Sequence, residues 1–227
     1  MMTLPQFHEL HVVSDLHMGG PGGFQILKET ERLARHIDWI AGQAPGQPVA
    51  LVLNGDVIDT LAEDGTGGYI ATDKACEVVE RIIADKAFAP IWAALKRFVS
   101  TPERMLVVVL GNHDLELALP PVQRLVVDKL VGTDPSLRAR IEFATIGAGY
   151  TCMVGNVRVF CTHGNEVDEW NAVRYEDLSR LARRLNVGRS LGYEEWRPNA
   201  GTKLVRDVMN EVKRKYRWVD LLKPEME

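Results

Sequence analysis

Four short clusters hold most of the side chains in this sequence that could do chemistry: Asp15-x-His17, Gly55-Asp56-x-x-Asp59, Gly111-Asn112-His113-Asp114 and Thr162-His163-Gly164. Carboxylate and amide oxygens suit hard divalent cations, borderline transition ions also accept imidazole nitrogen, and two adjacent ions need an oxyanion between them. The clusters supply that set. Asp15 and His17 stand two apart, so on an extended backbone their side chains share a face and could both reach one ion. Asp56 is the natural bridge to a second. Gly55 and Gly111 remove side chains where the backbone must pass close to a packed site. Any one cluster alone reads as an ordinary turn. Four of them in order, each following a strand, read as a metal site.

The pattern around each cluster shows what must position it. Residues 10–13 form a short apolar strand that runs into Asp15 and then into a loop holding Gly19, Gly20, Gly22 and Gly23. Residues 24–43 carry Ile26, Leu33, Ile37 and Ile40 at helical spacing and stop at Pro45-Gly46-Gln47-Pro48. The unit repeats: a strand at 49–53 enters the second cluster, a long helical stretch covers 72–99, and a strand at 105–110 enters the third. Strands alternating with helices predict βαβ crossovers and a parallel sheet covered by helices, with ligands held beyond the carboxyl ends of the strands. A helix over 121–131 precedes β-rich runs at 141–146, 150–154 and 157–162, which read as hairpins, the last delivering His163. From residue 167 onward the chain is charged and helix-prone, with a break over 186–200.

With 227 residues and 46% hydrophobic content, the chain can bury one substantial core. A net charge of -4 gives no global attraction to nucleic acid and leaves a local basic patch possible. Residues 166–227 are the more basic part, with 13 Lys/Arg against 12 Asp/Glu. Arg180, Arg183, Arg184 and Arg189 there read as a solvated helix face with i,i+4 pairing, and Trp170, Trp196 and Trp218 as packing. Glu166 and Asp168 read as helix-capping acids, and His8, His11 and His36 as structural or exposed. Cys76, Cys152 and Cys161 form no framework, which fits a reducing compartment. The first ten residues do not resemble a signal peptide, and nothing approaches the roughly 20 apolar residues of a membrane span. The expectation is a soluble, cytoplasmic protein.

Together the clusters resemble the calcineurin-like metallophosphoesterase superfamily, over roughly residues 10–166. The resemblance implies an α/β fold, an αββα sandwich of mixed sheets flanked by helices, with residues 1–165 as core and 166–227 as a helical cap. It implies that Asp15 and His17 bind a first divalent ion, that Asp56 bridges to a second, and that Asn112 and His163 bind the second. Mn²⁺ is the expected metal, with Fe²⁺, Zn²⁺ or Ni²⁺ as alternatives. His113 would face the scissile phosphate, with Asp114 orienting its ring. The implied reaction is hydrolysis of a phosphomonoester, phosphodiester or pyrophosphate by a hydroxide held between the ions, on a phosphorylated small-molecule or nucleotide-linked substrate. The helical stretch after the fourth cluster is similar in arrangement to the cap of UDP-2,3-diacylglucosamine pyrophosphatases. The family pattern closes on a Gly-His-x-His strand, whereas no histidine follows His163, so the final core strands are expected beyond residue 227. The rival from another class is a noncatalytic interaction module on the same fold. A di-metal redox site is disfavoured by the bridging carboxylate and the amide ligand.

Overall fold

Seven strands divide between two sheets in the computed structural model, which describes residues 3–22, 25–63, 69–189, 196–216 and 218–219. They are β1 (Gln6–Phe7), β2 (Glu9–Val13), β3 (Val49–Asn54), β4 (Arg104–Val109), β5 (Ile141–Ala144), β6 (Tyr150–Val154) and β7 (Val157–Cys161). The expected βαβ rhythm yields a wholly parallel sheet in the order β2-β3-β4-β5, and β1-β6-β7 make a smaller mixed sheet. In the parallel sheet Val13 pairs with Leu53 and Asn54 with Val109, so the residues just beyond β2, β3 and β4 emerge at one edge.

Helices α1 (Thr30–Ala41), α2 (Ala75–Ala84), α3 (Ala89–Ser100) and α4 (Pro120–Val131) join the core on one face of this sheet, where Ile37, Phe88, Ile91 and Phe98 are buried with Leu51 and Leu106. On the other face Ala50, Val52, Val107 and Val109 meet Phe7, Tyr150, Cys152 and Cys161 of the second sheet. Strand β3 is therefore buried on both sides, which is why it reads as an unbroken apolar run. After the short α5 (Pro135–Arg138) and the second sheet, α6 (Tyr175–Asn186) returns to the first core through Leu178 and Leu181. A last helical rod runs through α7 (Ala200–Leu204), a π-turn (Val205–Met209) and α8 (Asn210–Lys215). The architecture is the expected α/β class, a parallel and a mixed sheet flanked by helices.

Several boundaries differ from the expectation. The stretch 72–99 is two helices, because Pro90 has no N–H to donate and its ring would clash with the carbonyl four residues back, so it is accommodated in the first turn of α3. Asp85 stops α2 and accepts from the Ala87 N–H at 2.8 Å. Of the three β-rich runs only β6 and β7 form a hairpin, because β5 pairs parallel with β4 and extends the larger sheet. Helix α1 begins at Thr30, and Gly23 and Phe24 lie outside the described residues, as does the end of the chain from Lys223 to Glu227. Trp196 is buried as expected, whereas Trp170 and Trp218 are exposed. Among the described residues no helix is long and apolar enough to cross a membrane, and all three cysteines are free.

Candidate metal centre

The loops leaving β2 and β3 run side by side: the N–H groups of Asp15, His17 and Met18 donate to the carbonyls of Gly55, Asp56 and Val57 at 2.8–3.1 Å. Here the backbone is not extended as the Asp15-x-His17 spacing suggested. Asp15, His17 and Asp56 sit at φ of 56°, 45° and 50°, a left-handed conformation that L side chains rarely adopt. Strain of about 1–3 kcal/mol per residue persists only where the surroundings over-determine it, and such residues gather at functional sites. The two glycines have the expected purpose. A Cβ on Gly55 would lie 2.4 Å from the His163 ring, and one on Gly111 would lie 2.1 Å from Asp56 Oδ1.

The side chains converge. Asp56 Oδ2 lies 3.6 Å from His17 Nε2 and 3.3 Å from His163 Nε2, so one carboxylate oxygen faces imidazoles from two separate loops. Asp15 joins Asp56 and His163 in one compact donor group, while His17, Asp59 and His113 form another. His163 Nδ1 lies 2.9 Å from the Asn54 carbonyl, which fixes the ring with Nε2 toward Asp56. His17 Nδ1 is buried 3.4 Å from Asp59 Oδ2 without hydrogen-bond alignment. Burial works against the charge of Asp56, yet the bond to His163 and the charge of His113 hold its carboxyl below the usual range. His163, bonded to Asp56, is raised to about 9.

The partner of the His113 ring is a correction to the sequence reading. Asp59 Oδ1 lies 3.1 Å from His113 Nδ1. Burial opposes a charged ring there, but the charge and bond of Asp59 overcome it and raise His113 to about 9, while Asp59 is held well below the usual carboxylate range. Asp114, the expected partner, is fully buried beneath the site and accepts from the N–H groups of Gly111 (2.7 Å) and Val57 (2.8 Å). It clamps the third loop to the second. Burial and the neighbouring charge of Asp56 raise it to about 7. Asp59 was visible in the second cluster but carried no role there. The signal was its place three residues after Asp56, where a turn brings it back under the same cavity.

That cavity, about 480 Å³, is lined by Asp15, His17, Asp56, Asn112, His113 and His163, so all the expected metal donors open onto one space. The 204–213 stretch of the last helical rod closes one side. Two of its polar residues tie it to the core, Arg206 donating to the carbonyls of Thr60 and Glu63, and Asn210 to that of Leu61. Leu204, Val205, Met209 and Lys213 line the cavity. Glu166 and Asp168 take local bonds, Glu166 from Thr162 and Tyr175 and Asp168 from Trp170 and Asn171.

The calcineurin-like phosphoesterase family model matches residues 9–220. The chain belongs to that family. Comparisons with curated proteins and with solved structures give no match. Family members typically bind two divalent metals, and the donors of this chain fit such a pair. The carboxylates of Asp15, Asp56 and Asp59, the accompanying imidazoles and the Asn112 amide are donors that borderline divalent ions accept.

Proposed function

We propose that this protein is a binuclear-metal-dependent phosphoesterase that hydrolyses a phosphomonoester, phosphodiester or pyrophosphate bond in a phosphorylated small-molecule or nucleotide-linked substrate. The observation that supports it is Asp56 Oδ2, shared between His17 and His163 in a cavity onto which the His113 ring also opens. Asp15, His17 and Asp56 would hold one ion, and Asp56, Asn112 and His163 the other, with Mn²⁺ suited to the mixed oxygen and nitrogen donors. When bound, such a pair activates water as a nucleophile and neutralises charge on the phosphoryl oxygens.

The remaining chemistry belongs to the chain itself. His113, kept charged by Asp59 at Nδ1, would stabilise and protonate the leaving oxygen through its other ring nitrogen. Asn54 holds His163 through its carbonyl so that this ring keeps one orientation. The helical segment that we regard as a cap, residues 166–227, contributes Leu204, Val205 and Met209 to the cavity, which limits water beside the reacting phosphate. A cytoplasmic setting is part of the same proposal, supported by the free thiols.

The test is hydrolysis of 4-nitrophenyl monoester and diester phosphates by protein loaded with Mn²⁺, alongside metal analysis. His113→Ala should lower kcat about 10²-fold or more while metal content stays near that of the unaltered protein. Asp56→Asn should lower both. Absence of turnover with every divalent ion tried would sink the hydrolase reading and favour a noncatalytic module.

A further inference from the structure

Glu116 is a fully buried acid that the proposed reaction does not use. It follows the third cluster on a short 3₁₀ turn at Leu115–Ala118 and is 1% exposed. Its Oε1 accepts from the Ala71 N–H at 2.7 Å, and its Oε2 lies 2.5 Å from Thr60 Oγ1. Thr60 Oγ1 also lies 2.9 Å from the carbonyl oxygen of His113.

A hydroxyl has a single hydrogen, and the His113 carbonyl can only accept. If Glu116 were ionised, both neighbours of the Thr60 hydroxyl would be acceptors, and one contact would go without a proton. A protonated Glu116 satisfies both: its O–H donates to Thr60 Oγ1, and the Thr60 O–H donates to the His113 carbonyl. The ionised alternative would leave that carbonyl with the longer Thr60 N–H contact at 3.3 Å.

We propose that Glu116 is a neutral, proton-donating positioning residue that fixes the backbone of His113 through the hydroxyl of Thr60. Asp59 and Thr60, adjacent in sequence, then hold the same histidine twice, one by its ring and the other by its carbonyl. The charge of Arg206 of the last helical rod, which donates to the Thr60 and Glu63 carbonyls, favours ionisation of Glu116. Burial opposes it more strongly and pushes the carboxyl up. The rod therefore joins the chain Arg206–Thr60–His113. The importance of this for turnover rests on the reading of His113 as the group that serves the leaving oxygen.

Glutamine mimics the neutral acid, since its amide N–H₂ can donate to Thr60 while its carbonyl accepts from Ala71. In the Mn²⁺-loaded full chain, Glu116→Ala should lower kcat about 10- to 100-fold, the scale of a small misplacement of a reacting group, with metal content retained. Glu116→Gln should restore most of that loss. Infrared difference spectra of the unaltered protein against Glu116→Gln, at pH 7 in the metal-free state, should show the carbonyl stretch of a protonated carboxyl that the variant lacks. A carboxylate band in its place, or Glu116→Gln as impaired as Glu116→Ala, overturns the proposal. The infrared result is independent of activity. A protonated Glu116 in a protein without any phosphoesterase turnover would refute the hydrolase reading alone.

Discussion

Replacing Asp59 by Asn separates the two acids that could serve His113. Against the opposing effect of burial, the charge and hydrogen bond of Asp59 are the two largest influences that lift the ring from its ordinary 6.5 to about 9. An amide of the same shape keeps the packing and removes the charge, so the ring falls back toward its ordinary value. At pH 8 a group with a pKa of about 9 is about 90% charged and one of 6.5 about 3%, which predicts a kcat loss of roughly 30-fold if protonated His113 serves the leaving oxygen. At pH 6 both are mostly charged, and the same arithmetic leaves a loss below about 2-fold. Divalent ions beside the ring lower both values together and move the window toward lower pH without removing it. The assay is kcat at saturating 4-nitrophenyl phosphate and Mn²⁺ across pH 5–9, quenched into alkali so that the chromophore reads equally at every pH. Metal content is measured in parallel because Asp59 Oδ2 also lies 3.4 Å from His17 Nδ1. A ratio of unaltered to variant kcat that stays flat across this range, with metal retained, would refute the pairing. So would Asp114→Asn reproducing the pH-dependent loss.

Asp114→Asn should act on stability instead: losing one of two backbone acceptor bonds in a fully buried site costs about 1–3 kcal/mol, read as a lower urea midpoint with an unchanged shape of the kcat–pH profile. In Gly111→Ala the new methyl would meet the Asp56 backbone nitrogen at 2.3 Å as well as its carboxyl, so the bridging acid must move. Overpacking of about 1–3 kcal/mol and loss of at least one metal equivalent are expected, and full metal content by elemental analysis would contradict this. Because the bond to Asp56 raises metal-free His163 to about 9, its ring is protonated at pH 7 and must release that proton to become a ligand. Titration calorimetry in buffers of different ionisation enthalpy should then show about one proton released by this group per protein, fading above pH 9. The same shift fixes a sign for the metal-free protein. His113 and His163, both raised, contribute stability that is fully present below about 6.5 and lost as pH rises through about 9, so the melting temperature should fall across that interval.

What the sequence made legible was the part that follows from strand ends. Parallel pairing of Val13 with Leu53 and of Asn54 with Val109 forces Asp15, Asp56 and Asn112, each two or three residues further on, toward one edge, whatever the loops do in detail. His163 was legible for the same reason, since β7 ends beside β3 with Asn54 Nδ2 donating to the Thr162 carbonyl at 2.9 Å. The choice between acids inside a cluster was not. The resemblance implied that Asp114 orients the His113 ring, but Asp114 follows His113 directly, and consecutive side chains in a tight turn leave in different directions. Here that turn aims Asp114 back at the unpaired N–H groups of Gly111 and Val57, donors that no sequence pattern reveals. Strand β1 was invisible for a related reason, since two residues become a strand only by pairing with β6. The break at Pro90 should have been legible, because proline inside a helix has a fixed consequence and the apolar periodicity through 72–99 hid it. Glu116 marks the limit of reading a sequence for chemistry. Its residue type says charge, and only the placement of Thr60 between it and the His113 carbonyl gives a reason for it to be neutral.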